Sequence, residues 1–497
     1  MLTLFRLALL SIVRQPVALA AFLVVPALLV FVSADALGRF GEVLGVGEGH
    51  HHPSHIGILS GMWAAGITAA LISALTVAEA DRADTVLAVR YPMARWITAR
   101  GAALVVVSGL AVLVSIGFTA IRYDGVGAGV WLGAAYNALL YVMIGQLVAY
   151  FTRDAVFSVG SVSGLWILDA LTAPSMTSGT WWQPVVSPFY SAEHAAMGND
   201  VGAGEITALV VWPVLVGAAS LAVLVVRPRR RAPAAAAAPP PAAVPGGGGV
   251  TRGGVALLLT DLLRHRGLLG FVVAGPLGLM LSSLWLFGGI EVAVPAVEDG
   301  RRTLITTTMP QLHAAYMGMI AVVGFSGTVG FLIATDLHAP DGRLGHRFRR
   351  TGRITAFRVG TLLGAATAVT VSALVLVPIV RTPENWTWFI TAHLLAAWTF
   401  ALFGYCVGLA LDRVSGILVT MFFPFIDVGI AQDYMLGPVL PDWAVFLPSH
   451  PFAQLSISSA FGESVFDPAY LAWSAALLAL ALLAVLTVTA RRTSLRL

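Results

Sequence analysis

The chain has 497 residues, of which 58% are hydrophobic and 11% charged, with a mean hydropathy of +0.85. A soluble core of this length cannot hide so much apolar surface, so the composition excludes a soluble globular protein and reads as a polytopic membrane protein. All 29 basic residues are arginine and the net charge is +4, which rules out a Walker-type phosphate loop and a lysine Schiff base and gives no sign of a nucleic-acid partner.

Met1 is followed by LTLFRLALLSIVRQP, in which Arg6, Ser11 and Arg14 recur among apolar residues. This predicts an amphipathic helix lying on the membrane, not a cleavable signal peptide, because no small-residue cleavage site follows. Runs long enough to cross a bilayer fall at 17–33, 56–78, 101–121, 128–151, 155–173 and 205–226. A second set falls at 267–289, 312–335, 357–380, 386–411, 414–431 and 468–490. Between the sets lies RPRRRAPAAAAAPPPAAVPGGGG, residues 227–249, whose Arg/Ala/Pro/Gly composition predicts a flexible tether. The expected organisation is an all-α membrane protein of twelve spans, with a first half at 1–226 and a second at 250–497.

With the N-terminus inside, 24 of the 29 arginines fall in cytosolic segments; Arg39, Arg122, Arg301, Arg302 and Arg381 do not. The positive-inside rule therefore puts both termini and the tether in the cytosol. The halves also repeat in the same orientation. Asp84, Leu87, Arg95, Arg100, Asp154 and Asp169 recur as Asp341, Leu344, Arg353, Arg358, Asp412 and Asp427. Such a parallel duplication places two like halves around a pseudo-two-fold axis along the membrane normal.

Two cytosolic segments follow the second span of each half. The first, EADRADTVLAVRYPMARWITAR at 79–100, opens with Glu79, Asp81 and Asp84, passes through Leu87 and ends on Arg90, Arg95 and Arg100. Its counterpart at 336–358 holds Asp336, Asp341, Leu344, Arg349 and Arg353. A short helix of mixed charge, rigidly joined to two spans, is what a lever docking on a cytosolic partner needs; the alternative is an ordinary basic loop. Before each sixth span stand SGTWWQPVVSPFYSAEHAAMGND and PDWAVFLPSHPFAQLSISSAFGES, where Trp and the repeated Pro-Phe predict a re-entrant or interfacial hairpin.

Asp169 and Asp427 stand late in the fifth spans. A carboxylate facing lipid costs on the order of 2.5 to 3.5 kcal/mol on insertion scales, so both should face a cavity or the partner half. They could bind a cationic group or take up protons, or they could cap the outer hairpin. Asn137 and Gln146 are further candidates for a substrate path; with His313 and His393 they also suit interhelical hydrogen bonds. Asp154 and Asp412 suit caps of the fifth spans. The run His50, His51, His52 and His55 could ligate a transition metal, but with no acidic or Cys anchor nearby it reads as a surface run. The single cysteine, Cys406, allows neither an intrachain disulfide nor a Cys-based metal cluster.

The leader, the acidic-to-basic segment after span two and the Pro-Phe break before span six together resemble the permease subunits of type-2 ATP-binding-cassette exporters, with two six-helix permeases fused in one chain. The resemblance implies an export pathway between the halves, coupling helices at 79–100 and 336–358, and two copies of a separate ATPase subunit that carry ATP and Mg. It also implies a plasma-membrane location, no catalysis by this chain, and a small amphipathic or hydrophobic cargo such as a drug, antibiotic or lipid. The rival reading is an ion-driven secondary transporter of the major-facilitator kind, whose basic loop DGRLGHRFRR at 341–350 matches imperfectly. A transferase acting on lipid-linked substrates, with Asp35 or the His run as its chemistry, finds no recurring carboxylate pair or nucleophile.

Overall fold

A computed structural model describes residues 1–13, 16–33, 53–90, 93–152, 155–171, 187–198, 201–226, 270–286, 291–298, 301–336, 351–411, 413–432, 434, 440–462 and 467–494. The first half runs α1 (Leu2–Val13), α2 (Pro16–Ala27, continued by a π-turn over Leu28–Ser33), α3 (Pro53–Arg90) and α4 (Met93–Arg122), then α5 (Ala128–Thr152), α6 (Ala155–Leu171), α7 (Pro188–Ala196) and α8 (Ala203–Val226). The described helices of the second half follow the order of α2 to α8. They run α9 (Gly275–Leu286, after a π-turn over Gly270–Ala274), α10 (Met309–Asp336), α11 (Thr351–Leu374), α12 (Trp386–Ala410), α13 (Arg413–Ile426, continued by a π-turn over Asp427–Ala431), α14 (His450–Phe461) and α15 (Ala469–Ser494).

Eight of the described helices are long and apolar enough to cross a bilayer, by length and composition, which marks the chain as a mostly helical membrane-embedded protein. The predicted spans at 17–33, 155–173, 267–289 and 414–431 coincide instead with shorter apolar helices. Expected features outside the described residues are the tether at 227–249, Asp35, His50 to His52, Asp154, Asp341, Leu344, Arg349 and Asp412.

Each half is built around its second span. The apolar stretch of α3 is 100% buried and that of α10 83%, against 22% for α8 and 11% for α15. The former pair are hubs and the latter face outward. Helix α3 packs on α2, α4, α5 and α6, while α10 packs on α9, α11, α12 and α13. In lipid no hydrophobic force separates helix from tail, so close contact comes from small residues. A Cβ added to Gly404 of α12 would fall 1.9 Å from the carbonyl oxygen of Gly327 in α10. At the matching place in the first half, a Cβ on Gly145 of α5 would fall 2.5 Å from the carbonyl oxygen of Ala70 in α3. The halves meet where the short apolar helices α6 and α13 pack on each other.

Three local findings differ from the sequence expectation. Helix α1 is not only a surface helix: Leu4, Ala8 and Ile12, spaced by four, are buried, and the helix packs on α4. Second, α3 continues without a break from the second span to Arg90, so Glu79, Asp81, Asp84, Leu87 and Arg90 lie on one rod and not on a separate short helix. Third, the chain is not purely helical. Strands β1 (Glu291–Glu298) and β2 (Arg301–Thr308) form an antiparallel hairpin, with Glu298 opposite Arg301. Val292, Val294 and Ala296 alternate inward, and the intervening Asp299-Gly300 is a favoured two-residue turn sequence.

Candidate functional site

The Pro-Phe segments supply the best-defined polar architecture. In the first half, Ser187 caps α7: its hydroxyl accepts from the Tyr190 N–H at 3.0 Å, and Pro188 follows at the first helical position. That hydroxyl donates to Asp169 Oδ1, which also accepts from the Phe189 N–H at 3.4 Å. Asp169 Oδ2 takes the phenol of Tyr141 from α5. In the second half, Ser449 precedes α14, donates its hydroxyl to Asp427 Oδ1 and gives its N–H to Oδ2 at 3.2 Å. Both carboxylates thus sit at the N-terminus of a short helix, where the unsatisfied N–H groups and the helix dipole favour a negative charge.

Asp169 is 7% exposed and Asp427 fully buried. Every oxygen of both carboxylates is already engaged, so the geometry makes each of them a tie between a short apolar helix and a Pro-Phe helix. Because α6 packs on α13, the ties flank the junction of the halves.

Helix α7 is anchored twice more. The Trp63 indole N–H of α3 donates to buried Glu193 Oε2 at 3.0 Å, and the Trp166 indole of α6 donates to the Trp63 carbonyl at 3.1 Å. His194 Nδ1 lies 2.9 Å from Glu205 Oε1 in α8. Burial raises the pKa of the Tyr190 phenol, and the charges of Glu205 and Glu193 add to the shift. At the far end of α14, Arg381 donates Nε to the Ala460 carbonyl at 3.2 Å and lies over the Phe461 ring. A cation there complements the negative end of the helix dipole.

The other predicted residues do not share one surface. Asn137 is fully buried beside Gly66 of α3, near Tyr141 and Phe189, and its amide finds no hydrogen-bond partner among the described residues. Gln146 is half-buried nine residues further along α5, on the opposite face of the helix. His393 Nδ1 bonds the Phe389 carbonyl of its own helix at 2.8 Å, and His313 is fully buried. Arg95 is exposed, while Arg100 is 3% exposed with Nη2 2.7 Å from the Tyr150 hydroxyl. Asp336 ends α10 and Arg353 lies in the first turns of α11; they, with Glu79 to Arg90, are placed by their backbone alone. No group of three potential metal ligands occurs among the described residues.

Sequence reasoning missed Ser187, Ser449, Tyr141 and Glu193. The two serines carried a readable signal, a Ser one or two residues before a Pro that opens a helix. Tyr141 and Glu193 carried none, since their partners lie 28 and 130 residues away. The chain matches no protein-family model, no curated protein and no solved structure.

Proposed function

We propose that this chain is the membrane permease of an ATP-driven exporter, formed by two fused six-span halves with twelve spans in all, and that a separate ATPase subunit, two copies per chain, supplies ATP hydrolysis with Mg. The observation that carries the reading is the repetition: two halves of one element order meet along their fifth spans, each with a Pro-Phe helix tied by an aspartate. Two like halves around one seam suit a path that opens alternately to either side.

Helix α3 adds a mechanical argument. A rod that is the buried hub of its half and runs on through Glu79, Asp81, Asp84 and Leu87 to Arg90 would transmit a push at its end directly into the half. In this reading that end, with Arg95, and the corresponding Asp336, Asp341, Leu344, Arg349 and Arg353 dock on the ATPase from the cytosolic side. The arginine distribution supports that side, with both termini cytosolic and the Pro-Phe helices outside, and the resemblance to exporter permeases supports a plasma-membrane location. The cargo is an amphipathic or hydrophobic small molecule, matched to a path of apolar helices with few polar groups.

The test is photocrosslinking in native membranes from Leu87 and, separately, from Leu344. Recovery of one ATPase subunit from both positions is the expected result. Recovery of none, with transport persisting on an ion gradient, overturns the proposal in favour of a secondary transporter.

A further inference from the structure

A second polar site lies apart from the aspartate ties, at the hairpin end of the second half. A cleft of about 580 Å³ opens between Thr303 of β2, the turn of 3-10 helix over Asp442–Phe446, the start of α14 and Tyr470 of α15. Its floor is a fixed hydrogen-bonded chain. Gln432 Nε2 donates to the Ala444 carbonyl at 2.7 Å, which turns its Oε1 toward His450 Nδ1 at 2.8 Å and makes that nitrogen the protonated one. Beside it, the Tyr434 hydroxyl donates to Gln454 Oε1 at 2.9 Å. Gln454 lines the cleft and is 2% exposed, yet its Nε2 finds no acceptor among the described residues. A buried amide donor left in this way is what an incoming acceptor would satisfy.

The rim differs from the floor. Leu304 is 60% exposed, Trp443 43%, Val445 38% and Phe446 84%, an apolar and aromatic edge of the kind that sits at a membrane–water boundary. Leu304 and Val445 line the cleft itself, so edge and floor are continuous. Among the described residues, the lining side chains include one carboxylate, Asp442, and no arginine. An anionic head would be repelled by that carboxylate with no arginine among the described lining residues to offset it, and a quaternary ammonium head would bring no acceptor to Gln454.

We propose that this cleft binds an uncharged amphiphile with a hydroxyl-rich head, of the alkyl-glycoside type. Its head oxygens accept from Gln454 Nε2, its hydroxyls donate to Asp442, and its chain lies along Leu304, Val445 and Phe446. Binding is defined without reference to transport, so this inference stands or falls separately from the exporter reading.

The experiment uses the full chain in phosphatidylcholine nanodiscs and a diazirine-bearing dodecyl glucoside, with labelled peptides mapped by mass spectrometry. Labelling is expected within 301–308 and 440–446, competed by octyl glucoside at least fivefold better than by octyl phosphate or octyltrimethylammonium. Gln454→Met, which keeps the shape and removes the donor, should cut labelling at least fivefold. Val445→Trp, which changes only an exposed rim position, should do the same by filling the cleft and decides the matter where Gln454→Met lowers the melting temperature. Labelling spread over the spans and unchanged in Val445→Trp overturns the site, and equal or better competition by the ammonium amphiphile overturns the headgroup.

Discussion

In the first half, Asp169 is held by donors from two elements, the phenol of Tyr141 in α5 and the Ser187 hydroxyl and Phe189 N–H at the start of α7. In the second half, among the described residues, Asp427 takes its two bonds from Ser449. What the halves share is therefore the bond between a short apolar helix, α6 or α13 with its π-turn, and the N-terminus of a Pro-Phe helix; among the described residues the first half adds a tie to α5 through Tyr141. The same contrast runs through the packing. The second and fourth spans touch through small residues in both halves, but the approach is closer in the second, with Gly404 against Gly327 where the first half has Gly145 against Ala70.

The packing contrast gives the largest expected effect. Gly404→Ala sets a methyl against backbone that cannot rotate away, and overpacking of this kind costs about 3 kcal/mol. Gly145→Ala should cost about 1 kcal/mol less on the same scale. Equilibrium unfolding in mixed micelles checks both, and an equal loss for the two would show that the halves pack alike.

Removing a carboxylate tests the ties. Asp169→Ala leaves the Tyr141 and Ser187 hydroxyls unsatisfied and should destabilise by about 2 to 3 kcal/mol, while Asp427→Ala should cost about 1 to 2 kcal/mol. Tyr141→Phe should close the gap between them in the same unfolding assay. If Asp427→Ala proves the more damaging, the phenol is not what separates the two sites.

The Glu193 anchor predicts a smaller difference within one position. Glu193→Gln keeps an acceptor for the Trp63 indole and should cost under about 1 kcal/mol, whereas Glu193→Leu strands that N–H and should cost about 1 to 2 kcal/mol. Trp63 emission should report the loss, since its indole loses its hydrogen bond only in the leucine variant. The smallest effect is expected for His194→Ala. Its contact with Glu205 is partly solvated, with the two side chains 25% and 12% exposed, and such pairs contribute about 0.5 kcal/mol.

The order of elements was legible because it rests on local signals. Apolar runs mark the helices, and the recurrence of Asp169 as Asp427 and of Pro188-Phe189 as Pro451-Phe452 marks the duplication. The π-turns, the short first and fifth helices and the hairpin were not legible in the same way. EVAVPAVE and RRTLITTT sit in a chain so apolar that period-two alternation is hard to separate from the background, although Asp299-Gly300 carried the turn signal. At 79–90, the mixed charge after a span reads as a short separate helix, yet these residues are adequate helix formers and the hub helix simply continues through them.

Of the candidate site, the sequence singled out the two aspartates but left open whether they meet ligand or protein. Asn137 and Gln146 looked alike as polar residues of one span, and only the helix geometry puts them on opposite faces. By itself, then, the sequence determined a mostly helical membrane protein and where most of its apolar helices run, because hydrophobicity and its period are properties of neighbouring residues. Only the tertiary structure decided that Asp169 meets Ser187, that Asp427 meets Ser449, that Glu193 meets Trp63 and that Gln454 faces a cleft. Those pairings join residues 18 to 130 positions apart, and helix packing, not sequence spacing, sets which side chains arrive together.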